Sequence, residues 1–509
     1  MTKLENTTST TGLSPRWRLT IAATAVAALS ACSTVQVQPL EPKGLAEATK
    51  SDAAAIRKDV EPITGPLTLE EAMARALKYN LDRRAKMMEE ALALRQFDVS
   101  KYDMLPKLVS SAGYTSRNND KISLSRNSED GTLSPSRFVS SDRNHSLGGL
   151  DFTWSLLDLS LGASSARQQG DRALVATEKR RKAMHQLLLD TRTVYWRAMA
   201  AQNLQAVVKK TISVAEDALK DARSAEGQRL RSPIDSMRYQ RQLLENMRLL
   251  EAIEAELASA QLELTQLINA PIGQRITLAN QTERDVSAVL LAQPIEKMET
   301  LTLANNADLR EAHYNARIAR EEVRRTMAKL LPNVSLNWGV KYDSDSYLVN
   351  RDWQEAGLQV SFNLLNLITG PTQLKAAEGG VALADQRRMA MHMAALTQMH
   401  LARLSLSNAR QQFDRADSIW AVDVKIAEIV QNQQSAQSQS KLEVVSNATT
   451  ATLSQLRRFQ ALAQVQAAEN RFIASLGIEP RIGNVQELSI KQIVEQLGNQ
   501  FTNLGQFFK

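Results

Sequence analysis

A second version of one long stretch recurs 208 residues further along the chain, and this duplication constrains the fold more than any other feature. Leu156–Asp158 returns as Leu364–Asn366 (364 − 156 = 208), and the matches continue at that offset over the following residues. Upstream, Pro106 is matched by Pro332 at the larger offset of 226 (332 − 106 = 226). One connection is therefore 18 residues longer in the first copy (226 − 208 = 18). The chain therefore contains two copies of one supersecondary arrangement.

The composition favours helix, because the 509 residues include only 20 Gly and 13 Pro. The net charge of +7 and the pI near 9.3 could indicate a nucleic-acid partner. The basic residues, however, are interleaved with acidic ones along helical faces, which is typical of a solvated helix surface. We therefore expect no nucleic-acid partner.

The N-terminus predicts a lipoprotein signal. Arg16 and Arg18 precede an apolar run that extends from Leu19 to Leu29 and is too short to span a membrane. The run ends at Cys32 in a pattern that resembles the bacterial lipobox, which implies cleavage after residue 31 and lipidation of Cys32. We expect residues 1–31 to be a signal peptide and residues 32–66 a lipid-anchored tether. Ser33, in place of Asp, implies sorting to the outer membrane under the rule known for such lipoproteins.

Four segments alternate apolar and polar residues as amphipathic strands do. They comprise 108–115, 148–156, 334–340 and 358–364. Each has about the length of a tilted transmembrane strand, and aromatic residues near their ends suggest a membrane girdle. The predicted girdle residues are Trp154, Trp338, Tyr342 and Phe362. The alternative is a pair of hairpins packed on a soluble core.

No segment beyond the signal contains about 18 consecutive apolar residues, so any membrane crossing must be made by strands. Four strands cannot close a barrel, and open sheet edges are not tolerated in lipid. Closure therefore requires further copies, and a homotrimer with twelve strands is the most economical arrangement.

Long helical patterns fill most of the remaining chain. The predicted helices span residues 68–104, 164–225, 232–268, 306–330, 384–434 and 442–476. In each copy two shorter helices, laid end to end, match one longer helix. We therefore expect two short helices stacked beside each long one, in coiled-coil-like hairpins packed side by side.

The lipobox, the duplicated plan and the pattern at the hairpin tips together resemble the TolC-type outer-membrane efflux proteins. The tip pattern is Gly227…Ser232-Pro233-Ile234-Asp235, echoed by Ser435…Ser440-Lys441-Leu442-Glu443. The resemblance implies a mainly α chain with a small β part, forming a trimeric α-barrel tunnel and a 12-stranded transmembrane β-barrel. It also implies a first repeat at 67–298, a second at 299–480 and a C-terminal segment at 481–509. Segments 271–298 and 483–509 would form a belt around the middle of the tunnel.

The same resemblance implies partners: a periplasmic adaptor protein, an inner-membrane transporter and outer-membrane lipids. The adaptor would dock on the hairpin tips. The predicted docking residues are Gly227, Arg229, Leu230, Ser232, Pro233, Ser438 and Ser440.

The family's gates also carry acidic residues just past the tips. Glu443 matches such a position, and Asp235 matches it in the first copy. Three symmetry-related carboxylates would attract cations. The alternative is that both acids merely favour the first turn of a helix. The sequence departs from the family at Ser446, where a second gate acid is missing, and the usual latch residues are absent at Gln434 and Gln439.

A run of Met and His residues raises the question of a metal site. The run comprises Met389, Met391, His392, Met393, Met399 and His400. These side chains can bind Cu(I), but four positions at helical spacing, Met389, Met393, Leu396 and His400, favour a packed helix face instead.

The sequence contains no phosphate loop, nucleophile elbow or His-Glu-x-x-His motif, so we expect no enzymatic activity, no metal and no cofactor. The predicted function is passive conduction as the outer-membrane channel of a tripartite efflux or secretion system. The alternative is a periplasmic adaptor-type coiled-coil lipoprotein that bridges the two membranes.

Overall fold

The computed structural model describes residues 39–227, 233–274, 276–279, 286–435, 441–479 and 482–502. The helices are α1 Pro42–Arg57, α2 Leu69–Tyr79, α3 Leu81–Ser100, α4 Leu156–Gly227, α5 Pro233–Leu267, α6 Ser287–Leu291, α7 Ile295–Asn305, α8 Ala307–Lys329, α9 Asn366–Ser435, α10 Lys441–Ser475 and α11 Ile490–Thr502. The strands are β1 Lys107–Ser116, β2 Ile122–Arg126, β3 Leu133–Val139, β4 Asn144–Ser155, β5 Asn333–Asp343 and β6 Asp352–Ser361. The chain is thus mainly helical with a small β part, as predicted.

The chain divides into two compact units. The strand unit contains residues 104–161 and 329–364, grouped with residues up to Ala55. The helical unit contains residues 56–103, 162–328 and 365–509.

The helical unit stacks two short helices along each long one, as the lengths predict. In the first copy, α3 reaches α4 through the Arg180–Glu90 ion pair at 2.7 Å, and α5 reaches it through Arg197–Glu263 at 2.6 Å. The helices α5 and α10 have 35 residues each, and both their starts and their ends are 208 positions apart (441 − 233 and 475 − 267). The duplication therefore extends from sequence to the element boundaries.

The predicted helix over residues 68–104 is two helices with a break at Asn80. Asn80 is extended (ψ 127), and its side chain caps α3 by accepting a hydrogen bond from the Arg83 backbone N–H at 2.9 Å. The same side chain donates to the carbonyl of Leu267, the last residue of α5, at 3.3 Å. Asn80 thus joins the end of one stacked helix to the start of the next.

The second copy repeats this junction. Asn306 accepts from the backbone N–H of Leu309 at 3.1 Å and donates to the Ser475 carbonyl at the end of α10 at 3.3 Å. Gly477 follows in the left-handed region (φ 68), and a Cβ there would collide with the Asn305 backbone. The corresponding position in the first copy is Asn269 (477 − 208 = 269), which is also left-handed (φ 54). Gly and Asn are the residues that end helices in this conformation.

The main core of the helical unit gathers around the middle of α4. Tyr195, Leu204 and Leu264 are fully or almost fully buried there. The segments that the resemblance assigned to a belt pack against this core through Leu278, Leu290, Met298, Ile490, Ile493 and Leu497. A parallel bridge between Leu67 and Leu278 fixes the first of these segments to the start of the unit.

Within the predicted tether over residues 32–66, the structure describes the residues from 39 onward. Pro42–Arg57 forms an exposed helix, because its 16 residues include five Ala and only one Gly, which favours helix. Residues 61 and 62 are then held by Arg75, which donates to the Glu61 and Pro62 carbonyls at 2.6 and 2.9 Å. Fixed structure therefore begins before residue 67.

Both long helices begin earlier than predicted. α4 starts at Leu156 rather than at residue 164, and α9 starts at Asn366 rather than at residue 384. In α9, Pro371, Gly379 and Gly380 concealed the helical pattern. Pro371 is the sixth residue of α9. It lies close enough to the start of the helix that few of the helical backbone hydrogen bonds are lost.

The strand unit contains a four-stranded antiparallel sheet in the order β1-β4-β5-β6. The predicted fourth strand ends earlier than expected, at Ser361 rather than at residue 364. Residues 118–143, a segment rich in Ser, Asn and Asp, contain the separate hairpin β2–β3. Its apolar residues are isolated among Ser and Arg, so the short strands escaped detection.

Candidate functional site

One face of the four-stranded sheet is apolar across all its strands. The register places Phe152 opposite Trp338, Leu150 opposite Val340, and Trp154 opposite Leu336. Directly paired residues lie on the same face of a sheet. The apolar set continues to Leu108 in β1 and to Leu358 in β6, and these side chains are mostly solvent-exposed. The predicted alternation is therefore present as a continuous exposed apolar surface.

The opposite face is polar. Lys341 forms an ion pair with Asp151 and lies 3.9 Å from Glu355 in the neighbouring strand. Gly339 borders this group, and a Cβ there would lie 2.8 Å from Asp151 Oδ1. Glycine at this position therefore leaves room for the carboxylate. An apolar face and a charged face on one thin sheet suit a wall between lipid and water.

The predicted girdle residues occupy different heights on the sheet. Trp154 is the penultimate residue of β4, and Tyr342 is the penultimate residue of β5. Trp338 lies in the middle of β5, so its predicted place near a strand end is wrong. Phe362 lies just beyond the end of β6. The sequence pattern correctly placed Trp154, Trp338 and Tyr342 on the apolar face of the sheet, but it did not give their positions along the strands.

Hydrogen bonds at one end of the sheet join a connection in the first sequence repeat to a connection in the second repeat of the same chain. The Ser141 hydroxyl donates to Asp345 Oδ2 at 2.6 Å, and the Ser346 backbone N–H donates to Asp142 Oδ2 at 2.6 Å. His145 Nδ1 lies 2.7 Å from Asp343 Oδ1. These contacts join the β3–β4 connection to the β5–β6 connection, and sequence reasoning missed them because the partners are about 200 residues apart.

The two predicted gate acids lie at equivalent places. Asp235 is in the first turn of α5 and Glu443 in the first turn of α10, and both are exposed. Asp235 lies 3.9 Å from Arg238 one turn later. Both positions also fit the helix-dipole alternative, since a carboxylate stabilises the N-terminal turn of a helix.

A contact near the tips joins the two hairpins, and the sequence did not reveal it. Lys441, the first residue of α10, donates to Asp221 of α4 at 2.5 Å. The hydrogen bond and charge of Asp221 raise the pKa of Lys441. Val445, fully buried, packs against α4 and α5 in a small cluster with Ala215, Ala218, Leu219 and Leu243. The start of α10 is thus fixed to the first hairpin by one ion pair and one apolar cluster.

Several predicted residues lie outside the described part of the chain. These are the lipidation residue Cys32 and the tip residues Arg229, Leu230, Ser232, Ser438 and Ser440. Gly227 is the last residue of α4, and Pro233 is the first residue of α5. Adaptor docking and lipidation therefore stay predictions.

The predicted packing of the Met and His residues is wrong in phase. Met399 is fully buried and Met391 partly buried, whereas Met389 and Met393 are exposed. His400 is also exposed and lies 2.9 Å from Glu299. The buried stripe passes instead through Ala395, Met399 and Leu406, offset from the face that spacing alone suggested.

No helix in the described part of the chain combines the length and apolar character needed to cross a membrane. Within the same residues, no cluster of three or more His, Cys, Asp or Glu side chains could hold a metal ion.

Solved structures with the same architecture are found, although no protein-family model and no curated protein matches the sequence. The Campylobacter jejuni CmeC outer membrane channel matches with a TM-score of 0.62 at 13% identity, covering 89% of this chain and 95% of that one. The outer-membrane channel OprN matches with a TM-score of 0.61 at 15% identity, over 80% and 89% of the two chains. This chain has the fold of an outer-membrane channel.

A third match is the Neisseria gonorrhoeae MtrE outer membrane channel in its open state, with a TM-score of 0.58 at 14% identity, covering 80% of this chain and 88% of that one. The predicted resemblance to the TolC-type fold is therefore confirmed. At identities this low the likeness concerns the fold. Any argument for function must therefore rest on where this chain places its own polar and apolar side chains.

Proposed function

We propose that this chain is the outer-membrane channel component of a tripartite efflux or secretion system and acts without enzymatic activity. Three copies form a 12-stranded β-barrel and a helical tunnel, through which substrates pass passively to the exterior. The observation that carries the proposal is the sheet whose apolar face spans all four strands while its other face holds the Asp151–Lys341 ion pair. Such a sheet is stable in a membrane when its edges are closed and its polar face borders water.

The open edges support closure by further copies. β1 and β6 each pair on one side only in the sheet. Unpaired backbone groups are costly in lipid, so β6 of one copy must pair with β1 of the next. Three copies give the twelve strands that the resemblance implies.

The Lys441–Asp221 ion pair and the Val445 cluster support a gate at the tips. They hold the second return helix against the first hairpin. An iris-like opening, driven by a periplasmic adaptor that is itself attached to an inner-membrane transporter, would separate these elements. Cys32 would add a lipid anchor to the outer membrane.

Planar-bilayer recording tests the proposal directly. Purified protein should have the mass of a trimer and should conduct ions, and Asp221→Asn should increase the open fraction because the Lys441 ammonium loses its carboxylate partner. Glu245→Gln is the matched control, because it removes a different exposed carboxylate, whose partner Arg248 lies in the same helix. A monomer that inserts no channel would refute the proposed function. A conducting trimer whose gating is unchanged by Asp221→Asn would refute the latch alone.

The adaptor-type alternative is less well supported. An adaptor would be expected to insert one hairpin into Gly-rich β-domains, whereas this chain carries two hairpins and one amphipathic sheet.

A further inference from the structure

A groove lined by α4, α9 and α10 runs along one face of the helical unit. Its larger part has a volume of about 910 Å³, and a smaller part of about 460 Å³ continues from it towards the start of α8. The two parts share Leu401, Ser405 and Arg471, so Arg471 lies where they meet. The lining residues of α9 span positions 398–412, which is about 21 Å of helix. The groove is therefore long enough for a small organic molecule.

The groove lies on the opposite face of α4 from the segments assigned to the belt. The Tyr195 hydroxyl lies 3.1 Å from the carbonyl oxygen of Leu67 and 3.3 Å from that of Ala279, which belongs to the first belt segment. Thr193 and Arg197 line the groove, and each lies two residues from Tyr195, which is about 160° around a helix. The resemblance implies that the belt surrounds the tunnel, and the groove would then face the tunnel interior.

The groove carries a positive charge that the described chain does not neutralise. None of the described residues that line its larger part is acidic, whereas Arg197 and Arg471 both line it. Arg197 is paired with Glu263 at 2.6 Å. In the smaller part, Arg181 and Lys182 are paired with acids of α4, of α8 and of the residues after α10. Arg471 is exposed, and it has no ion pair or hydrogen bond within the described residues.

The duplication shows that this open charge takes the place of a closed ion pair. Subtracting 208 from Ser405 and Arg471 gives Arg197 and Glu263 (405 − 208 = 197; 471 − 208 = 263). In the first copy these two residues join α4 to α5 through an ion pair. In the second copy a serine stands in place of the cation and an arginine in place of the carboxylate. The Arg471 charge is therefore not used to hold α10 against α9, and an external anion would supply its partner.

Apolar and amide side chains lie beside this charge. Leu401 and Leu404 line the groove and are 59% and 57% exposed. Asn408 and Gln464 line the same part and offer hydrogen-bond donors. An exposed arginine is ordinary on a convex helix surface. A guanidinium in a concave site with exposed leucines and amides instead matches a molecule that has an apolar body and an anionic group.

We propose that this groove binds small organic anions with an apolar body. Their carboxylate or sulfonate group pairs with Arg471, and their apolar part packs against Leu401 and Leu404. The inference rests on the proposed function, because it names a substrate class for which the tunnel wall provides a transient site. The site lies 28 residues along α10 from Glu443 (471 − 443 = 28), about 42 Å away, so it is separate from the predicted gate acids.

Two probes of opposite charge test the proposal. The purified protein in a maltoside detergent is titrated by calorimetry with naphthalene-2-sulfonate and, separately, with 2-naphthylmethylammonium, which has the same ring system. The sulfonate should bind at about one site per chain, and the ammonium should bind roughly tenfold more weakly or not at all. Arg471→Gln should weaken binding of the sulfonate about tenfold, because a charge-assisted hydrogen bond is lost.

Arg457→Gln is the matched control. Arg457 is exposed on the same helix about 21 Å before Arg471, and it lines neither part of the groove. The double variant Ser405→Arg/Arg471→Glu gives a second readout, since it recreates the Arg197–Glu263 pair of the first copy. It should form the same trimer and should no longer bind the sulfonate. Equal affinity for the two probes, or equal losses in Arg471→Gln and Arg457→Gln, would overturn the inference.

Trimer mass and conductance, measured on the same preparations, separate this inference from the proposed function. A conducting trimer that does not prefer the sulfonate would overturn the substrate class alone. Unmodified protein that forms no conducting trimer would instead refute the proposed function.

Discussion

A buried ion pair in the core of the helical unit determines how well that core tolerates substitution. Arg192 and Glu469 are almost completely buried, and Arg192 Nη1 lies 3.9 Å from Glu469 Oε2. Burial lowers the pKa of Arg192, while the charge of Glu469 opposes that shift. The two charges compensate each other at a place where neither would be stable alone.

Removing one charge of this pair should be costlier than removing both. Glu469→Gln is expected to reduce the free energy of unfolding by about 3 kcal/mol or more, because Arg192 is left without its counter-charge. The double variant Arg192→Leu/Glu469→Leu should lose less. Denaturant titration in detergent, followed by circular dichroism, compares the two. A loss in the double variant equal to the sum of the losses in the Arg192→Leu and Glu469→Leu single variants would show that the pair is not coupled.

His185 should make the stability depend on pH. Burial lowers the pKa of His185 to about 4; the charge of Glu479 opposes this shift, and the charge of Arg181 adds to it. The folded chain therefore keeps this imidazole neutral at pH values where the unfolded chain protonates it. The stabilisation is complete above about pH 6.5 and is lost progressively as the pH falls towards 4.

His185→Leu should flatten this dependence. Between pH 7 and pH 4 the wild type should lose up to about 3 kcal/mol more of its unfolding free energy than the variant does. Unfolding measured across that range gives the comparison, with His400→Leu, at an exposed site, as the control. A variant that follows the wild-type profile would show that other groups dominate acid sensitivity.

At the scale of elements, the sequence predicted the number and order of the long helices because Gly and Pro are rare inside them. It also predicted the stacking of α3 and α5 along α4 from their lengths. It missed the break at Asn80, since a single capping residue leaves the apolar periodicity on both sides nearly intact. The phase of the Met389–His400 face was wrong because two candidate faces of α9 are both apolar, and packing partners decide between them.

The hairpin β2–β3 accounts for the longer connection in the first copy, and it is an addition to the sheet rather than part of it. Its strands pair only with each other in the sheet topology, and nearly all of its residues are exposed. At the base of the hairpin, the β1–β4 ladder of the four-stranded sheet extends to the pairing of Ser116 with Asn144. The hairpin should therefore be dispensable for folding.

Replacing residues 119–141 with a short Gly/Ser linker should leave the trimer and its channel intact. The linker must rejoin β1 to β4 over the gap that the Ser116–Asn144 pair defines. Removal also deletes the contact between Ser141 and Asp345, so faster proteolysis of the β5–β6 connection is expected. Loss of the channel would show that the hairpin contributes to the barrel or its assembly.

For the whole molecule, the sequence predicted the channel architecture, but it did not predict contacts between residues that are far apart in the chain. Those contacts are visible only in the structure. Lys441–Asp221 is such a contact, because its partners are 220 residues apart and neither stands out in the sequence. The family resemblance predicted the gate acids, and the duplication relates them to each other, since the starts of α5 and α10 preserve the offset of 208.

Glu443 should control ion selectivity if the assembled tips form a narrow ring. Three carboxylates near one axis attract cations, and Glu443→Gln removes the charge with little change in size. The variant should show reduced cation selectivity, measured as a smaller reversal potential in asymmetric KCl, with an unchanged yield of trimer. Glu245→Gln is the matched control, because Glu245 is an exposed carboxylate beyond the first turn of α5 and pairs with Arg248 in the same helix. If Glu443 only stabilises the first turn of α10, the substitution should lower stability by less than about 1 kcal/mol and leave the reversal potential unchanged. That result would reject Glu443 as a pore residue while leaving the channel itself in place.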